Sequence, residues 1–282
     1  MNLTEILKIR GFDSCSTTKL LRHKDNKTHD LKMLYESGMI QTYQSVQSKD
    51  IFRDCDYVMS FLGTEASKAK FIGLYRITGI TKVANFQVPR DFPYPDFFKP
   101  EDFYYEMEEL DNLDDLKDRM IIDWGNSAIQ WQQWLKSNDK EVVEILPKGY
   151  FEKFPGFLDF TLSFNELKKV IDNPDANREW HRMLGSVAGV YLILDTEEGL
   201  QYIGSASGER GILGRWEQYA KSQHGHNKLL VDLLAEHPER HKSFKFTILQ
   251  TLPRTLTKKE VIAHEVKYKN KLGTRAFGLN GN

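Results

Sequence analysis

The chain has 282 residues, 40% hydrophobic and 28% charged, with a formal net charge of −1, which suits two packed domains of ordinary soluble composition. No apolar run approaches a membrane span, and the opening Met1-Asn2-Leu3-Thr4-Glu5 lacks the basic and apolar regions of a signal peptide. Cys15 and Cys55 are too few for a disulfide framework or a complete zinc site, so they are expected as free thiols in a reducing, cytoplasmic setting.

The near-zero charge argues against a nucleic-acid partner only as an average. Residues 187–282 carry 14 Lys and Arg against 10 Asp and Glu, an excess of +4, and the remaining 186 residues carry −5. Part of the negative charge is concentrated between Asp96 and Asp123. A positive C-terminal third suits phosphate binding, although a solvated surface gives the same count.

In chain order, Thr4 to about Tyr43 reads as short helices broken at Gly11 and Gly38, with Leu31, Leu34 and Tyr35 at helical spacing. Strands are predicted over Asp56–Leu62 and Lys70–Ile77, joined by the polar turn Gly63–Lys68, and then over Phe103–Met107, Met120–Trp124 and Glu141–Leu146. Several strands with little helix between them suggest a small mixed sheet or a partly closed barrel. Pro89 to Pro95 must be a turn or an extended loop.

Ser163, three residues before Glu166, reads as a capping box opening a helix. Together with Arg178–Leu184 this predicts a helical connector. Val187–Leu194 and Leu200–Ser205, around the turn cluster Thr196–Gly199, predict a β-hairpin that puts Tyr191 and Tyr202 on adjacent strands. Leu213–Tyr219 reads as helix, with Arg215 and Tyr219 on one face. Thr257 caps a helix from Lys258 to Lys271, whose stripe Val261, Ile262, Tyr268 and Leu272 is interrupted by Glu265. A carboxylate on a buried face is costly unless paired or metal-bound. A lone His-X-His at His224 and His226 is a weak zinc signal. A phosphate-contacting loop opening a helix at Asn227, with His226 and Lys228, is the alternative to a merely polar surface.

Gly189-Val190-Tyr191, Tyr202-Ile203-Gly204, Arg215, Tyr219, Glu265 and Asn280, in that order, resemble the GIY-YIG nuclease superfamily, with Val190 in place of the usual isoleucine. The resemblance spans about Val187 to Asn282. It implies an α/β (α+β) fold with a small antiparallel sheet flanked by helices, and a metal-dependent DNA endonuclease activity. It further implies that Tyr191 activates water, Tyr202 and Tyr219 orient it, Arg215 neutralises the phosphate and Glu265 holds Mg²⁺, for which Mn²⁺ can substitute. Asn280 matches the family's late asparagine. A tyrosine hydroxyl titrates near 10, so the cation at Arg215 is expected to favour the phenolate.

A core of this kind needs a recognition domain, and the strand pair around Gly73 faintly resembles PUA and EVE barrels, which hold a modified base between aromatic side chains. Trp124, with Asn126 and Ser127, is the expected base pocket. Trp131 and Trp134 are expected to pack a helix onto the barrel. The run Lys19, Arg22, His23, Lys24 and Lys27 is the expected basic path for DNA. The expected organisation is a recognition domain over 1–160, a helical connector over 161–186 and a nuclease domain over 187–282. The implied partner is double-stranded DNA, modified or not, in a restriction or phage-defence setting. Double-strand cleavage requires a homodimer or two binding events. A repair or mobile-element nuclease recognising DNA structure, and a non-catalytic DNA-binding protein, are the alternatives.

Overall fold

The computed structural model describes residues 1–13, 15–125 and 130–281. The chain divides into two compact units, Met1–Leu146 and Pro147–Asn282.

The first unit begins with α1 (Leu3–Ile9), which stops at Gly11, where φ is +72°. It is followed by β1 (Thr18–His23), α2 (Leu31–Glu36), α3 (Ile40–Ser45), β2 (Val46–Gln47), β3 (Tyr57–Gly63) and β4 (Lys68–Lys82). The remaining strands are β5 (Phe103–Leu110), β6 (Met120–Asp123), β7 (Gln132–Trp134) and β8 (Val142–Ile145). They form one mixed sheet in the order β2-β5-β4-β3-β1-β7, with β6 joining β4 to β8. β4 is long enough to pair β5 through residues 74–82 and β6 through residues 68–70.

β1 falls inside the stretch where helices were expected. It runs parallel to β3, Thr18 opposite Tyr57 through His23 opposite Leu62, and every residue of it is buried. Its polar side chains are satisfied from elsewhere in the chain. The Lys19 ammonium reaches the Ile51 carbonyl and lies 4.6 Å from the centre of the Trp134 ring. Arg22 donates to the Ala66 carbonyl at 2.9 Å, and His23 pairs with Gln44 at 3.0 Å. The expected basic run is therefore not a surface path; only Lys24 and Lys27 of it are exposed.

The tryptophans also exchange their expected places. Trp124 is fully buried in the core with Phe61 and Leu135, its indole N–H spent on the Gln130 carbonyl at 2.9 Å, so it cannot line an open base pocket. Asn126 and Ser127 lie outside the described residues. Trp134 sits in β7 rather than in a helix, and Trp131 is 41% exposed.

The second unit holds β9 (Leu162–Ser163), α4 (Phe164–Asp172), α5 (Arg178–Ser186), β10 (Ala188–Asp195), β11 (Gln201–Ala206) and α6 (Gly211–Ser222). After these come α7 (Lys228–Glu236), β12 (Phe244–Leu252), α8 (Lys258–Leu272) and α9 (Thr274–Phe277). The capping box is present at α4: the Ser163 hydroxyl accepts from the Glu166 N–H at 3.3 Å, and the Glu166 carboxylate accepts from the Ser163 N–H at 2.7 Å. α4 and α5, expected as a connector, contribute Phe164, Leu167, Trp180 and Leu184 to the same core as Tyr191 and Trp216.

The sheet is antiparallel, in the order β11-β10-β12-β9. Successive side chains on a strand point to opposite faces. Tyr191 and Tyr202 belong to the cluster shared with α4, α5 and α6, whereas Val190 and Ile203 pack with Val261 of α8. Edge strand β11 therefore has α6 on one face and α8 on the other. No described helix is long and apolar enough to cross a membrane.

Candidate active site

On the α6 face, three side chains converge. The Tyr191 and Tyr219 hydroxyls lie 3.2 Å apart; Arg215 donates from Nε to Tyr191 Oη and from Nη2 to Tyr219 Oη, both at 3.2 Å. The helical spacing of Arg215 and Tyr219 puts them on one side of α6, and the guanidinium also lies 4.8 Å from the Tyr219 ring centre. Arg215 is half-buried, and Arg210 rather than Arg215 pairs with Glu217. The ring of Tyr202 lies 6.5 Å from that of Tyr191 and 6.4 Å from that of Tyr219.

Both bonded tyrosines are fully buried, while Tyr202 is 9% exposed. Burial pushes the Tyr191 hydroxyl above the usual tyrosine range, and Arg215 only partly opposes it; burial lifts Tyr219 as well. The expected phenolate at Tyr191 is not favoured, because desolvation outweighs the adjacent cation. Burial also works against the charge of Arg215, but the phenol oxygens of Tyr191 and Tyr219 more than offset it and the guanidinium stays charged.

Glycines fit the backbone to this cluster. A Cβ on Gly204 would overlap the Tyr191 hydroxyl, and one on Gly225 would come within 2.5 Å of the Tyr219 ring. Gly225, at φ +54°, thereby seats the loop between α6 and α7 against Tyr219. That loop carries the exposed His226 and ends at Asn227, the N-cap of α7, whose first residue Lys228 is also exposed. The His226 N–H donates to His224 Nδ1 at 3.0 Å, which occupies one nitrogen of the His-X-His pair. Burial, with His226 nearby, holds His224 below the ordinary histidine range. Among the described residues no cluster of three or more His, Cys, Asp or Glu could hold a metal.

Glu265 stands on the α8 face. Its carboxylate accepts from the Ser205 hydroxyl and pairs with the Lys269 ammonium at 2.7 Å; the side chains of Glu265 and Lys269 are 14% and 5% exposed. The inward stripe of α8 is narrower than expected, because Ile262 and Leu272 are exposed at 41% and 45%. Among the described residues, no hydrogen bond or ion pair links Glu265 to Tyr191, Tyr202, Tyr219 or Arg215. Ser205 and Lys269 were not singled out in the sequence, although Lys269 follows Glu265 by one helical turn and so carried a readable signal.

Asn280 is buried and binds β11 rather than a solvent-facing group. Its carboxamide accepts from the Ile203 N–H at 2.9 Å and donates to the Ile203 carbonyl at 2.8 Å, and the Leu279 N–H donates to the Gln201 carbonyl at 2.8 Å. The chain end thus covers the outer edge of β11 as far as Ile203. The parity of the strand puts the Ser205 backbone on that same edge, beyond the cover.

Residues 187–280 match the family described as GIY-YIG catalytic domain. Two solved structures are similar to part of the chain. The catalytic domain of intron endonuclease I-TevI, solved as a point mutant, has 23% identity and a TM-score of 0.29, covering 34% of this chain and 94% of that one. The catalytic domain of homing endonuclease I-TevI has 24% identity and a TM-score of 0.26, covering 33% of this chain and 96% of that one. No curated protein matches the sequence.

Proposed function

Residues 187–280 form a GIY-YIG nuclease domain, and from that premise we propose that the protein is a divalent-metal-dependent endonuclease of double-stranded DNA. The observation that carries the reading is the guanidinium of Arg215, held by two buried phenols. An arginine whose fork is fixed in advance stabilises charge on a phosphate without reorganising as the reaction proceeds. Tyr191 and Tyr219 act here as positioning residues. Tyr202, the one of the three tyrosines that is not fully enclosed, orients the attacking water. Water oxygen attacks phosphorus and gives its proton to solvent, the bond to the leaving sugar oxygen breaks and that oxygen takes a proton from solvent, and Arg215 balances the charge that gathers on the phosphate.

Glu265 is the residue that would hold Mg²⁺. A largely buried carboxylate with unused lone pairs fits a cation that takes one or two carboxylates and completes its shell with water and phosphate. When bound there, the ion would supply Lewis acidity and stabilise the leaving oxygen. The Lys269 ammonium now neutralises that carboxylate and would have to yield one of its oxygens.

The first unit serves as the DNA-recognition part, and restriction or phage defence is the setting that a nuclease with an appended reader best fits. A Mg²⁺-dependent cleavage assay on unmodified plasmid and on DNA with modified cytosines, beside Arg215→Ala and Glu265→Ala, tests the reading. Cleavage by the parent and loss in both variants, with DNA binding retained, is expected. Cleavage that survives in either variant would remove that residue from the mechanism.

A further inference from the structure

The first unit contains a cavity of about 970 Å³ that no part of the proposed nuclease site uses. Its volume is that of a small-molecule site. One wall is aromatic: Tyr43 and Phe97 stack at 4.5 Å with 17° between their planes, and the exposed Trp131 stands on the lining.

The floor is polar. Gln44 is fully buried, and its amide oxygen accepts from the Ser60 hydroxyl at 2.6 Å and faces His23 Nε2 at 3.0 Å. His23 Nε2 therefore carries the ring proton and Nδ1 is left as an acceptor. Burial lowers His23 to about 4, so the ring is neutral near pH 7. Asp102, 8% exposed, lines the same cavity, and among the described residues its carboxylate has no hydrogen bond or ion pair. Its oxygens stay open to the cavity, and a ligand that brings an N–H there would meet an unused acceptor.

A neutral, flat ligand with donor groups fits an aromatic wall, an uncharged imidazole acceptor and a waiting carboxylate. We propose that this cavity receives a single nucleobase turned out of the DNA, one bearing an exocyclic amine, with Asp102 accepting from that amine. The exposed Lys24 and Lys99 line the same cavity and supply positive charge for the flanking phosphates. Turning a base out of the stack costs unpairing energy, which is least for a base without a partner. The proposal rests on the first unit acting on DNA, as argued above, and it moves the recognition site from Trp124 to the opposite end of the acidic stretch in sequence.

The test uses the full chain in EDTA, so that binding is read without cleavage. Fluorescence polarisation compares four duplexes that differ only in the base placed opposite an abasic site. At least one of the adenine, cytosine and guanine duplexes is expected to bind about tenfold more tightly than the thymine duplex. Asp102→Leu, which removes the acceptor at similar size, should erase that preference and leave the thymine duplex unchanged, and Trp131→Ala should weaken the preferred duplex. Equal affinity for all four, or a preference that survives in Asp102→Leu, overturns the proposal. Competition by free nucleoside monophosphates without any base preference in duplexes would assign the cavity to a free nucleotide and overturn it too. Base discrimination without cleavage in Mg²⁺ would retire the nuclease reading alone. Cleavage without discrimination would retire this one alone.

Discussion

Asn280 holds Ile203 by both of its backbone groups, and with the Leu279 N–H on the Gln201 carbonyl it covers this edge of β11. Tyr202 and Gly204 flank the clamped residue, and Gly204 is where the Tyr191 hydroxyl rests. The late asparagine thus acts on the site through the backbone. Asn280→Ala would strand a buried N–H and a carbonyl, at about 1–3 kcal/mol for each unsatisfied group. A lower melting temperature and slower single-turnover cleavage are expected, with DNA affinity near that of the parent. Unchanged stability would show that water or a shifted chain end replaces the clamp.

Arg215 meets its two phenols with different nitrogens of one planar group. Lysine has a single ammonium and cannot repeat that arrangement. Arg215→Lys should therefore lose cleavage almost as fully as Arg215→Ala, by about 10²–10³ in kcat, the scale of removing one preorganised charge-stabilising donor. Retention of most activity in the lysine variant would mean that charge alone suffices and that the tyrosine frame is only packing.

Lys269 and a divalent ion compete for the same carboxylate. Lys269→Met, which keeps the length of the side chain and removes its charge, should raise the affinity of Glu265 for Mn²⁺, read by electron paramagnetic resonance of the free ion. The Mg²⁺ concentration for half-maximal cleavage should fall in parallel. Weaker Mn²⁺ binding in the variant would show that Lys269 orients the carboxylate more than it competes for it.

The hairpin of β10 and β11 was legible because two apolar runs flank a turn cluster, and α8 was legible because Thr257 caps it. β1 was not. Its Lys19, Arg22 and His23 break an apolar pattern, and what buries them lies at Ile51, Ala66 and Gln44, distant in sequence. Trp124 misled for a related reason: a tryptophan at a strand end beside polar residues reads the same in a core as in a pocket. Its burial decides the matter, and Trp124→Ala should cost the first unit about 3–5 kcal/mol, as expected for a large core deletion. Urea denaturation checks this; a near-neutral effect would restore the pocket reading. Asp102 was hidden inside an acidic run in which the other carboxylates Glu101, Glu106 and Glu108 are exposed.

His23 makes the stability of the first unit depend on pH. Its folded pKa, about 4, lies below the ordinary value near 6.5 because burial penalises the imidazolium. The unfolded chain therefore binds a proton first as pH falls. The contribution is complete above pH 6.5 and disappears progressively down to about pH 4. The shift corresponds to about 3 kcal/mol, enough to bring a domain of ordinary stability close to unfolding when carboxylate protonation adds to it. Urea midpoints measured at pH 7.5 and pH 5.0 should separate more for the parent than for His23→Gln, which has no proton to gain. An equal pH dependence in both proteins would move the acid sensitivity away from His23 to the carboxylates.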